Sequence, residues 1–123
     1  MKGMAFEHAL DLRVTRKHKD GVSVALAIRP DLLNSNGVLH GGVIASLADE
    51  AAWWAIHHHF DQERACTTTE LKVNYLLPIS GAQVTARAYL VRAGKTLCVS
   101  RVDIFDDRKR LAALSTVTYI LLS

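Results

Sequence analysis

Cysteine and proline are scarce in this chain, with two of each among 123 residues. Cys66 and Cys98 fall in strand-like runs without Cys-x-x-Cys spacing. That excludes a disulfide scaffold and reads as two reduced, partly buried thiols. No uninterrupted apolar stretch approaches the ~20 residues that a membrane span requires, and no apolar run of the signal-peptide kind opens the chain. The expectation is a soluble, cytoplasmic protein without a membrane partner. Strong charge of one sign is also lacking: the formal net charge is +3. The basic stretches Arg13 to Lys19 and Arg108-Lys109-Arg110 carry none of the aromatic interleaving that single-stranded nucleic-acid binders use. They read as solvated strand ends and a turn, and nucleic acid is not an expected partner. Mild basicity equally suits a phosphate-bearing small molecule.

What the chain does have is apolar material. Half of its residues are hydrophobic and 22% are charged, enough for one domain with a real core and little for a second. The reading is therefore one domain over residues 1–123. A short helix is expected from about Gly3 to His8. Leu10, Leu12 and Val14 alternate with polar residues, Lys19-Asp20-Gly21 turns the chain, and Val22, Val24, Leu26 and Ile28 alternate again, so a hairpin is expected. The segment from Gly41 to about Phe60 is the only long helical pattern. Four strand candidates follow, at about Ala65–Leu77, Ala82–Ala93, Thr96–Phe105 and Arg110–Leu122, separated by breaks rich in turn residues. Short links between consecutive strands force antiparallel neighbours. The expected class is α+β: one long helix against a curved antiparallel sheet of about six strands.

At ~100° per residue, Val43, Ile44, Leu47, Ala48, Ala51 and Ala55 share one helix face, which suits packing on the chain's own sheet. The opposite side carries Ala45, Ala52, Trp53 and Ile56, with Asp49 in their midst. A helix apolar on both sides is buried on both sides, and one sheet covers one of them, so a second subunit is expected on the other. Glu50 falls on the boundary with Ser46 and His57 and reads as a solvated edge residue. His57-His58-His59 point ~100° apart from one to the next, so they do not converge on one metal ion; they read as a solvated helix end, and no metal site is expected. Trp53 and Trp54 face different directions, one toward a pocket or subunit seam and the other toward the core.

The stretch Asn34-Ser35-Asn36-Gly37-Val38-Leu39-His40-Gly41-Gly42 runs directly into this helix. Two glycines at a helix start leave backbone N–H groups approachable, as a developing oxyanion needs. A carboxylate is tolerated at Asp49, within an apolar segment, only when hydrogen-bonded. Together they read as an acyl-transfer site. Asp49 lies eight residues beyond Gly41, ~12 Å along the axis at 1.5 Å per residue, too far to attack a carbonyl held at its own helix end. Two antiparallel helices across a two-fold axis would bring Asp49 of one protomer to the Gly41 end of the other. His40 reads as a residue whose ring bonds backbone and shapes the turn, and Asn34 also suits a loop through its own side-chain hydrogen bonds.

The pattern Asn-x-x-Gly-x-x-His-Gly-Gly, with an acidic residue nine positions after the histidine, resembles that of the hotdog-fold thioesterases, specifically their phenylacetyl-CoA thioesterase-like branch. Asn34, Gly37, His40, Gly41, Gly42 and Asp49 match in register, and the strand Glu70 to Leu76 running into Pro78 agrees. The resemblance implies a central helix wrapped by an antiparallel sheet, homodimers that pair into homotetramers, and hydrolysis of acyl-CoA thioesters, with coenzyme A as part of the substrate and no separate cofactor. It implies Asp49 as nucleophile or general base, the Gly41 amide polarising the thioester carbonyl, Asn34 positioning substrate or water, and an assisting hydroxyl from Thr68, or Thr67 should the alignment slip by one. Gly42 is a further substrate-binding candidate, and His40 a secondary catalytic one. Trp53-Trp54 and the three histidines depart from the family pattern.

Thioester hydrolysis needs a nucleophile and donors for the oxyanion; thiolate leaves readily, so one carboxylate and a helix N-terminus are a sufficient minimum. Arg92 and Lys95, flanking the Gly94 turn, are the candidates for holding coenzyme A phosphates, with Arg101 a weaker one. The alternative reading is a non-catalytic acyl-CoA-binding or sensor protein on the same fold. Such a binder has no need of a carboxylate beside the thioester.

Overall fold

The computed structural model describes residues 5–123. In chain order it contains α1 (Phe6–Leu10), β1 (Arg13–His18), β2 (Gly21–Ala27), a 3-10 turn (Pro30–Leu32), α2 (Gly41–Phe60), β3 (Cys66–Tyr75), β4 (Gln83–Ala93), β5 (Leu97–Phe105) and β6 (Leu111–Leu121). The six strands form one antiparallel sheet in the order β1-β2-β4-β5-β6-β3. Of the helix expected from Gly3 to His8, Gly3 and Met4 lie outside the described residues. The part that is described runs two residues further, so Leu10 belongs to α1 and the first strand starts at Arg13. Asp11, in the left-handed conformation at φ 52°, ends that helix.

Tight links connect β1 to β2, β4 to β5 and β5 to β6, so these neighbours are antiparallel hairpins. The β1–β2 turn demands a glycine for space: a Cβ on Gly21 would sit 1.9 Å from the Ala88 carbonyl oxygen. The link through α2 sends the next strand to the far edge, where β3 pairs with β6 alone. Its ladder stops at Tyr75, short of the expected Leu77, because Leu76 and Leu77 both donate N–H to the Ala112 carbonyl.

α2 lies in the concavity of the sheet. Ile44, Leu47, Ala48, Ala51 and Ala55 are buried against it as their spacing predicts. Ala52 and Ile56, expected on the second face, are also fully buried within this one chain. A flat sheet would cover one stripe of the helix. This one curves, meeting α2 with β2, β4 and β5 on one flank and with β3 and β6 on the other. What stays partly open is a narrower arc with Gly42, Ser46, Asp49, Glu50, Trp53 and Trp54. Core strands contribute Val84, Ala86, Val102, Ile104 and Val117 from alternate positions. Each of the valines and the isoleucine among them contributes roughly 1.5–3 kcal/mol by leaving water. Among the described residues no helix is long and apolar enough to cross a membrane.

His57 corrects the expectation of a solvated helix end. It is buried, with Nδ1 2.7 Å from the Trp53 carbonyl and Nε2 3.0 Å from that of Arg64. It ties the last turn of α2 to the following loop. His58 Nε2 reaches the His18 carbonyl at 2.9 Å, which leaves His59 as the exposed member.

Candidate active site

The loop before α2 is built from its own polar groups. Asn34 Oδ1 accepts from Asn36 N–H at 2.8 Å and from Val38 N–H at 3.3 Å, while Asn34 N–H donates to the Val38 carbonyl at 2.8 Å. Gly37, at φ 79°, supplies the left-handed residue that closes this turn. Leu39 is buried and bonds the Ile79 carbonyl at 2.8 Å, while His40 N–H meets the Leu32 carbonyl at 2.9 Å. The approach to the helix is thereby pinned on both sides.

His40 is the N-cap of α2, and its Nδ1 accepts from the Gly42 N–H at 2.8 Å. Its ring thus shapes the helix start, as its position suggested. The same bond occupies the Gly42 amide, so Gly42 has no free N–H for a ligand. The Gly41 N–H has no acceptor among the described residues. Tyr75 supports it from below: the phenol donates to the Gly41 carbonyl at 2.7 Å, and a Cβ on Gly41 would contact the Tyr75 ring at 3.5 Å.

Two turns further along, Asp49 is half-buried, and Thr68 Oγ1 donates to its Oδ1 at 2.7 Å. Tyr119 OH donates to the Asp49 backbone carbonyl at 3.1 Å. Burial pushes the Tyr119 phenol well above its ordinary range, so it stays a proton donor. Register explains the convergence. Ala93, Cys98, Tyr119 and Thr68 are successive partners in one row across β4, β5, β6 and β3. Thr68 and Tyr119 both face the helix, whereas Thr67, one residue earlier, is exposed. The hydroxyl that meets the carboxylate is therefore that of Thr68.

Beside this carboxylate opens a cleft of about 770 Å³, lined among others by Trp53, Trp54, Cys66, Thr67, Thr68 and Tyr119. Both tryptophans line it, edge to face with ring centroids 5.2 Å apart; Trp53 also packs against the core, as expected of one of the pair, while Trp54 is exposed. Trp53 also stacks on His57, with centroids 3.9 Å apart. Burial raises the Cys66 thiol above its ordinary value, which keeps it protonated and a poor nucleophile. A second opening, of about 760 Å³, lies at the C-terminal end of α2 around Lys19, His58 and Arg87, and none of the expected site residues lines it.

Sequence reasoning missed three residues here. Glu50, read as a solvated edge, is half-buried beside the cleft; burial raises its carboxyl to about 7, with the negative charges of Glu7 and Asp49 adding to the effect. Tyr75 and Tyr119 clamp the two ends of the site. The alternation Ala113, Ser115, Val117, Tyr119 along β6 was the available signal that Tyr119 faces inward.

The basic candidates sit apart from this cluster. Arg92 and Lys95 are exposed on either side of Gly94, at the same end of the sheet as the row that holds Thr68. Arg101 makes a two-pronged pair with Asp103, at 3.0 and 2.9 Å.

Comparison with known proteins gives the family and supports the fold. The thioesterase superfamily profile matches residues 36–113. The medium/long-chain acyl-CoA thioesterase YigI of Escherichia coli K12 is 30% identical over 96% of this chain and 86% of its own length. The corresponding protein of Salmonella typhimurium is 31% identical over the same shares. Among solved structures, a mutant of the phenylacetic acid degradation protein PaaI from Thermus thermophilus is 29% identical, with a TM-score of 0.82 over 95% of this chain and 98% of that one. The thioesterase HI1161 of Haemophilus influenzae superposes with a TM-score of 0.89 over 98% of this chain and 84% of its own; at 22% identity it speaks to fold alone. The chain belongs to the thioesterase superfamily and is a thioester hydrolase on a hotdog fold.

Proposed function

We propose that the chain hydrolyses acyl-CoA thioesters to the free acid and coenzyme A, with Asp49 as nucleophile or general base. The observation that carries this is the Asp49 carboxylate held at 2.7 Å by Thr68, a side chain that also lines an aromatic-walled cleft. A carboxylate so oriented can attack the thioester carbonyl, or take a proton from the water that does. The thiolate of coenzyme A then leaves, and no strong general acid is required.

The oxyanion donor in this reading is the amide of Gly41 of the partner subunit. Among the described residues Gly41 N–H has no acceptor, and the helix end adds partial positive charge there. Within one chain, Asp49 and Gly41 stand ~12 Å apart along the axis. Two copies related by a two-fold axis, with the open arcs of their helices apposed, would join them into two equivalent sites. The half-exposed Tyr75 and Leu76, at the end of the edge strand β3, support such an association. Pairing of dimers into a homotetramer belongs to the same proposal.

Asn34 and His40 act in this scheme by holding the helix start, Asn34 through its carbonyl oxygen and His40 through its ring. Thr67 contributes to the cleft wall. Arg92 and Lys95, at the same end of the sheet as Thr68, receive the coenzyme A phosphates.

A thiol-release assay over aryl and aliphatic CoA esters, run on the wild type and on Asp49→Asn, tests the proposal. Turnover by the wild type that is lost in the variant supports it. Binding of the esters without turnover by either protein would instead indicate a non-catalytic acyl-CoA-binding protein.

A further inference from the structure

We propose that the cleft beside Asp49 is the acyl pocket and that Glu50 makes it a selector for acyl groups without negative charge. This rests on the reading of Asp49 as the hydrolytic carboxylate. Thr68 and Tyr119, the two side chains that hold Asp49, are themselves part of the cleft wall. A thioester carbonyl brought to Asp49 therefore directs one of its two substituents into the cleft.

Charge decides which one. Among the described lining residues the carboxylates are Glu7, Glu50 and Glu63; His8 is the one basic group, and neither lysine nor arginine takes part. Coenzyme A, with its several phosphates, is repelled by such a wall and favours the basic turn at Arg92 and Lys95. The acyl group takes the cleft. At about 770 Å³ it lies within the ~300–1,000 Å³ typical of small-molecule sites, and the edge-to-face pair Trp53–Trp54 offers apolar surface to a ring or an alkyl chain.

Glu50 is placed to discriminate. It follows Asp49 in sequence and precedes the two tryptophans by three and four positions, so about one and a half helical turns carry the carboxylate, the selector and the aromatic wall. It is half-buried, and none of the ion pairs among the described residues involves it. An acyl chain ending in a second carboxylate would meet this uncompensated charge in a partly desolvated space. A neutral chain of equal length would not. Discrimination thus arises from repulsion of the wrong substrate as much as from fit of the right one.

The test compares hexanoyl-CoA with adipyl-CoA, equal in chain length and differing by a terminal carboxylate, at pH 8. For the wild type kcat/KM should favour the neutral ester by roughly 10–100-fold, the order expected for like charges a few ångströms apart in a half-buried site. Glu50→Gln should shrink that ratio by about tenfold and Glu50→Lys should shrink it further or invert it, whatever either change does to both rates together. An unchanged ratio in Glu50→Gln, or a wild type that hydrolyses both esters equally, would overturn the proposal. Binding of non-hydrolysable thioether analogues of the same pair to Asp49→Asn and Asp49→Asn/Glu50→Gln reads the same ratio without turnover. Selective binding with no hydrolysis by the wild type would therefore unseat the hydrolytic role of Asp49 while leaving the selector in place.

Discussion

Thr68 and Asp49, nineteen residues apart in the chain, are joined by a 2.7 Å hydrogen bond from a strand hydroxyl to a helix carboxylate. The bond restricts the carboxylate to one orientation and leaves its other oxygen for a reactant. If Asp49 performs the chemistry, Asp49→Asn should lower kcat by roughly 10²-fold or more. Thr68→Val should lower it about tenfold, the worth of one hydrogen bond to a charged group, with little change in KM. Circular dichroism should show both variants folded, because neither group is fully buried. A Thr68→Val enzyme with wild-type kcat would remove the threonine from the mechanism.

His40 offers a way to separate capping from catalysis. Loss of the Nδ1 acceptor in His40→Ala should cost about 1 kcal/mol, which corresponds to a melting temperature lower by roughly 4 °C in a domain of this size. Asn is a good N-cap residue and should restore most of that stability. Turnover that follows stability in both variants marks the ring as a scaffold. Turnover abolished in a stably folded His40→Asn would make it a participant instead.

Glu50 makes stability depend on pH in a defined direction. Its carboxyl sits at about 7 in the fold against an ordinary value of 4.5, so the folded state holds the proton more tightly than the unfolded one. That contribution is complete below pH 4.5 and is lost as pH rises through 7. Because half of the side chain faces solvent, the effect is discounted to about 1 kcal/mol. The difference in melting temperature between Glu50→Gln and wild type should therefore grow in favour of the variant between about pH 5 and pH 8. A constant difference across that range would contradict the placement of Glu50.

Gly21 tests the β1–β2 turn. An alanine there would put its Cβ 1.9 Å from the Ala88 carbonyl oxygen, so backbone must move. Gly21→Ala should cost roughly 1–3 kcal/mol, the usual range for forced overpacking, without changing the preference among CoA esters. Chemical denaturation with a matched activity panel checks both halves of the statement.

Charge at the Gly94 turn is the handle on coenzyme A. Reversal of Arg92 and Lys95 to glutamate should raise KM for CoA esters several-fold while leaving KM for short thioesters that lack the nucleotide unchanged, as expected of phosphate-holding groups. An equal effect on both substrate types would argue against that role.

Much of this protein could be read from local pattern. The 3.6-residue spacing of apolar residues from Gly41 to Phe60, the two-residue alternation in the runs on either side of it, and the turn residues between them are properties of neighbouring positions, and they specified α2 and the strands after it to within about two residues. The start of β1 at Arg13 came three residues later than its alternation from Leu10 implied. Asp49 was recognisable because a carboxylate interrupts an apolar segment, and His40 because it precedes two glycines. Other features depended on distance in space. The wrap of the sheet around α2 decided that Ala52 and Ile56 are interior, whereas the expectation that one sheet covers one helix face had placed them against a second subunit. Strand order decided that Thr68 rather than Thr67 meets Asp49, since a one-residue shift in register turns a side chain to the opposite face. Burial of Glu50 and of His57 was equally out of reach, because each lies at the boundary of the helix and its surroundings come from the segment around Glu63 and Arg64 and from α1. Periodicity along a chain reports which way a residue points; what it then meets is set by elements that the chain brings back only on folding.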